Sequence, residues 1–175
     1  VQDATGASDA APISGYGVVE LIGPDGQVKE TREFRNLITD AGDLYYAKMV
    51  IANVSPANAS QPTRATGMQI GTSSTAAAKN GTGAAIVSYA AGVAFDAGYP
   101  QTNNVGAGAG VEARYKATIP AGSGTGTITE ATIVWGTVTT SSTAAECISR
   151  ITFTGVVKAA GDQLAITWNH KFLGA

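Results

Sequence analysis

The two side chains on which most catalytic and metal sites are built are almost missing. In 175 residues there is one cysteine, Cys147, and one histidine, His170. A lone cysteine excludes an intrachain disulfide framework and a thiolate cage. With one of each, no zinc or iron site of ordinary ligand spacing can be assembled, and no metal or cofactor is expected. Charge is scarce too: 14% of residues, with a net charge of -2 and a pI near 5.3. Nothing offers the basic stripe that a phosphate backbone needs, so nucleic acid is not an expected partner. No apolar run approaches the roughly 18 residues of a membrane span. The opening VQDATGASDAAPISG is polar and acidic, the opposite of a secretory leader, so synthesis in the cytoplasm is expected.

What the chain does have is glycine, 22 residues of it, amid alanine, threonine and serine, with 44% hydrophobic residues overall. That is the composition of strands joined by tight turns. Residues 1–14 carry mostly small and polar side chains and are read as an extended arm. Residues 15–175 are read as a single β-rich domain, since the length suits one core. YGVVELIGPDGQVKETREF contains two strand-like runs around Pro24-Asp25-Gly26, where proline presets φ and glycine accepts a positive one. In the second run Val28, Glu30, Arg32 and Phe34 share one parity, and Lys29, Thr31, Glu33 and Arg35 the other. A strand charged on both faces reads as an edge strand guarded against chance pairing.

A helix is expected from about Thr39 to Ala52, capped by Thr39 or Asp40, with Ala41, Leu44, Tyr45 and Lys48 at helical spacing. Leu44 is assigned to the core. Tyr45 and Tyr46 are not both expected to face it, which leaves one at the margin or against a partner. Two prolines in NVSPANASQPT end the helix. A short strand follows in GMQIG and a weak one around Ile86–Tyr89, whereas AFDAGYPQTNNVGAGAG shows little pattern. Further on, VEARYKATIP alternates, with Val111, Ala113, Tyr115 and Ala117 opposite Glu112, Arg114, Lys116 and Thr118. In DQLAITWNHKFLG, Leu164, Ile166, Trp168, His170 and Phe172 share a face. Strand signals recurring between turns argue for an antiparallel β-sandwich or barrel with one covering α-helix.

Groups placed to carry chemistry are few. His170 lies on an apolar strand face, where a histidine is usually a hydrogen-bonded part of the core margin. Asp40 and Asp43 share one side of the first helical turn, and acids favour that position through capping and the helix dipole. Gly81-Thr82-Gly83 and the GAGAG at 106–110 lack the spacing of a phosphate loop. The sequons at Asn53, Asn58 and Asn80 have meaning only on a secretory route. Cys147, in AECISRITF, reads as a buried, inert thiol. No catalytic residue is assigned, and an enzyme is not expected. Trp135 and Trp168 are the stacking candidates if the chain were a carbohydrate-binding module, although parity buries Trp168.

GYGVVELIGPDGQVKETREFRNLIT resembles the opening of small structural virion proteins of tailed double-stranded DNA bacteriophages. The residues that carry the likeness are Gly23 to Gly26 in the turn, then Asn36, Leu37, Ile38, Thr39 and Gly42. MQIGTSSTAAAKNGTGAA, ITEATIV and ISRITFTGVVKAAGDQLAITWNHKFLGA extend it over roughly residues 15–175. The resemblance implies a protein of the particle, on the head surface or in the tail. The first expectation is a capsid decoration (cement) protein that bridges major capsid subunits. Such a protein would be a homo-oligomer, with a trimer at local threefold positions as the first guess. The alternative is a tail-tip, fibre-base or adaptor protein. Contacts to other virion subunits are expected from Val1, Gln2, Asp3, Asp9 and Pro12 of the arm, and from Tyr46.

Overall fold

The computed structural model describes residues 13–51, 64–104 and 110–172. Among the described residues, nine strands form one antiparallel sheet, curled into a half-barrel with a single α-helix. They are β1 (Ser14–Ile22), β2 (Val28–Ile38), β3 (Gly67–Gly71), β4 (Tyr89–Ala94) and β5 (Gln101–Asn104), then β6 (Val111–Ile119), β7 (Gly126–Val134), β8 (Cys147–Lys158) and β9 (Gln163–Phe172). The helix, α1 (Asp40–Ile51), follows β2. Across the sheet the order is β4-β3-β7-β8-β2-β1-β9-β6-β5.

The hairpin expected at Pro24-Asp25-Gly26 joins β1 to β2, and Gly26 takes the left-handed φ of 77° that the turn requires. β2 is not the edge strand its charges suggest: it lies between β1 and β8, although among the described residues its ladder with β8 is short. It meets β8 only through Leu37 and Ile38, opposite Arg150 and Ser149. That short ladder is where the sheet turns its corner. The far edge is stitched by Asp96, just after β4. Its N–H donates to Lys116 O of β6 at 2.9 Å, and its carboxylate accepts from the Thr118 N–H and hydroxyl at 2.9 and 2.8 Å.

Period-two alternation decides what the concave side buries. Val19 and Leu21 of β1, Ala117 and Ile119 of β6, and Leu164, Ile166 and Trp168 of β9 point inward. Met68, Ile70, Ile133 and Ile151 face them from β3, β7 and β8. Phe34 of β2 meets Trp168 edge-on, with ring centroids 4.9 Å apart. In β6 the alternation fails at the start of the strand, where Val111 is 44% exposed and Glu112 only 3%. Two strand readings also shift. The weak strand near Ile86 begins instead at Tyr89, and β5 lies in the segment that shows no pattern. β5 is four polar residues held by pairing with β6, so no periodicity marked it.

The helix decides between the two cap candidates and corrects one expectation. Thr39 alone makes the cap: its Oγ1 accepts the Gly42 N–H at 2.9 Å, while Asp40 and Asp43 turn outward to Lys79 and Asn80. Leu44 is not a core residue, being 54% exposed. Tyr45 packs in the core and Tyr46, partly buried, lies at its margin, as expected of the pair. Tyr45 is 6% exposed, and its hydroxyl accepts the Ala65 N–H at 2.8 Å. Tyr46 stacks edge-on against Tyr45, His170 and Phe172. The inward face is therefore set by Gly42, where a Cβ would lie 2.0 Å from Ile148 O. Glycine lets the helix lie directly on β8, which rotates Leu44 out and turns the Tyr45 ring in. Tyr45→Ala should cost about 3–5 kcal/mol and Leu44→Ala less than about 1, read as urea unfolding midpoints.

Candidate functional site

The convex side of β3, β7 and β8 carries a buried polar layer that two loops cover. At its centre Glu130 of β7 and Arg150 of β8 form an ion pair in which both side chains are fully buried. Arg150 Nη2 and Nε donate to Glu130 Oε2 at 2.7 and 3.2 Å. The remaining valences reach into the 72–88 loop. Arg150 donates to Thr75 O at 2.9 Å and Gly83 O at 3.1 Å, and Glu130 accepts from the N–H groups of Ser73, Val87 and Ser88. Gln69 of β3 repeats the design for the 137–142 loop. Its amide donates to Thr140 O at 2.7 Å, and its Oε1 accepts the Ser142 N–H at 3.1 Å. A buried pair of this kind adds little net stability, because desolvation offsets attraction. Its saturation fixes which loop conformation is allowed.

The second assembly surrounds His170, which has no exposed surface. Tyr46 Oη is hydrogen-bonded to Nδ1 and lies 3.1 Å from Tyr115 Oη. Nε2 is 3.1 Å from Ser149 Oγ and 3.3 Å from Asn36 Nδ2. A serine hydroxyl on an imidazole is the arrangement of a nucleophile and its base. Here Ser149 is as deeply buried as His170, so the pair presents no face to a substrate. Burial pushes the His170 imidazole down to about 3, leaving it neutral at physiological pH, and pushes the Tyr115 phenol up to about 12. The node works as a latch between α1 and strands β2, β6, β8 and β9.

The other residues singled out from sequence fall into place around these two. Asp40 and Asp43 are more than half exposed and share Lys79, with Lys79 Nζ 3.8 Å from Asp40 Oδ1. Cys147 is buried beside Ser142 Oγ at 3.2 Å, and burial raises its thiol above the ordinary range. Trp168 is buried as its parity indicates, and Trp135 Nε1 donates to Ala145 O at 3.0 Å. Tyr46 spends its hydroxyl within the protein. Val1, Gln2, Asp3, Asp9 and Pro12 lie outside the described residues. Glu130, Arg150 and Gln69 were missed, yet each is the one charged or amide side chain in its stretch: ITEATIV, CISRITF, GMQIG.

The third feature is the convex face of β2-β1-β9-β6-β5. Register places Arg35, Tyr16, Asn169, Arg114 and Gln101 in one row across five strands, and Glu33, Val18, Thr167 and Lys116 in the next. Tyr16 donates to Glu112, and Arg114 Nε donates to Asn169 Oδ1 at 2.9 Å. The face is polar, carries both signs of charge and is braced from within. Comparisons with family models, curated proteins and solved structures give no match.

Two measurements test these assignments. Arg150→Met or Glu130→Gln leaves a buried partner unmatched and should cost about 3–5 kcal/mol. Amide exchange should rise first in the 72–88 loop. For His170 the folded pKa, about 3, lies below the unfolded 6.5, so the unfolded chain takes up the proton first. The stabilisation is complete above 6.5 and is lost as pH falls toward 3. The slope should be about 1.4 kcal/mol per pH unit, and it should vanish from urea titrations of His170→Gln.

Proposed function

We propose that this protein is a structural component of a bacteriophage particle, acting as a decoration (cement) protein that bridges capsid subunits. The observation that carries the reading is the braced convex face of β2-β1-β9-β6-β5. Its exposed and half-exposed side chains, among them Arg35, Glu33, Tyr16 and Lys116, make a broad surface of mixed charge on a rigid body. Such a surface recognises a partner by matching charge and shape over an area, which gives register and specificity more than raw affinity.

The groups with chemical potential support the same reading. His170 latches the helix, Cys147 is sealed, and Glu130 with Arg150 clamps a loop. Among the described residues no group of three or more His, Cys, Asp or Glu is placed to hold a metal ion. A clamped half-barrel resists deformation. When it spans two shell subunits, it opposes their separation by the contact energy on both sides. Repetition by the symmetry of a shell turns modest contacts into strong retention.

The test is a particle stripped of this chain and then reloaded. Reloading should raise the temperature at which the genome is released, and electron microscopy should show density at many symmetry-related head positions. Arg35→Glu with Lys116→Glu should weaken reloading while leaving the unfolding midpoint within about 0.5 kcal/mol of the parent, as for surface sites. Density confined to the tail, at a dozen or fewer copies, would replace the decoration role with that of a tail component. Particles that contain none of the chain would end both.

A further inference from the structure

We propose that Asn80 is a self-modifying site, at which the side-chain amide is lost through a cyclic imide and a negative charge appears beside the start of α1. Asn80 precedes Gly81, and both are exposed at the tip of the 72–88 loop. The reaction needs the following backbone nitrogen to reach the asparagine Cγ. A side chain on the following residue hinders that approach, and glycine has none. At Gly81 the backbone takes φ 69°, and the volume where a Cβ would sit is open, with no atom within 4 Å. The Gly81 N–H donates to no acceptor among the described residues, so no hydrogen bond must break before it reacts.

The steps balance without an oxidant or reductant. Solvent base removes the Gly81 amide proton, and the nitrogen attacks Asn80 Cγ. A C–N bond forms, the Cγ–Nδ2 bond breaks, and Nδ2 leaves as ammonia after gaining a proton. Water then opens the five-membered imide at either carbonyl, giving aspartate or isoaspartate at position 80. Asn36, Asn103 and Asn169 are poorly placed for this chemistry. Each lies in a strand, held by ladder pairing, and the residue after it bears a side chain.

The consequence follows from what Asn80 touches. Its Nδ2 donates to Asp40 Oδ2 at 3.0 Å, and the neighbouring Lys79 carbonyl accepts the Asp40 N–H at 2.8 Å. Modification replaces that donor with an anion facing an anion. One ammonium, Lys79, would then serve three carboxylates rather than two. The isoaspartate form also lengthens the backbone at this junction. The contact between loop and helix loosens at a rate set by time and alkalinity, which makes the site a clock independent of any role in a particle.

The experiment ages the full chain at mildly alkaline pH and maps it by peptide mass spectrometry with isoaspartate detection. The expected result is a gain of about one dalton at position 80. It should appear at least about tenfold faster than at Asn36, Asn103 or Asn169, which lack a following glycine. Aged protein and Asn80→Asp should both show faster hydrogen exchange over residues 40–44 and 76–84, and Asn80→Gln should show neither change. Asn80 intact after aging, or modified no faster than the strand asparagines, would overturn the proposal. Unchanged exchange in Asn80→Asp would overturn the loosening of the helix start.

Discussion

The hydrogen-bonded pair of Glu130 and Arg150 fixes the loop that covers the convex side of β7 and β8. Two charges at the centre of a sheet are costly to remove from water, and the arrangement survives because almost every valence is matched. The matching groups are backbone atoms of the 72–88 loop. The loop therefore has one low-energy path over the sheet, and the sheet has a lid that hides its polar layer. The same loop then presents Lys79 and Asn80 to the first turn of α1. A pair buried in β7 and β8 in this way sets the surroundings of the helix start.

The helix is held from its other side by aromatic and polar contacts rather than by an apolar stripe. Gly42 sets the distance to β8, and the rings of Tyr45 and Tyr46 enter where Tyr115, His170 and Phe172 gather. His170 contributes because it stays neutral and can bond on both ring nitrogens at once. A broad polar face on the convex side of β2-β1-β9-β6-β5 is left in the open.

Much of the β architecture could be read directly. The Pro24-Asp25-Gly26 turn and the inward face of β9 both rest on local rules that neighbours did not override. The helix shows where such rules stop. Leu44 sits at correct helical spacing and still faces solvent, because spacing fixes which residues share a side and not which side meets the sheet. One close approach at Gly42 made that choice. Glu112 likewise sits at an outward position of β6 and is covered by Tyr16, from a strand 96 residues away in sequence.

The sequence by itself determined the class of this fold: short alternating strands and one helix, with a single cysteine and a single histidine. Those are consequences of composition and periodicity, which act within a few residues. Only the tertiary structure decided that Ser149, Asn36 and Tyr46 meet at His170, that Arg150 meets Glu130, and which loop each pairing holds. Such contacts join residues far apart in the chain. Their energies depend on how completely water is excluded around them, and that is set when the sheet curls.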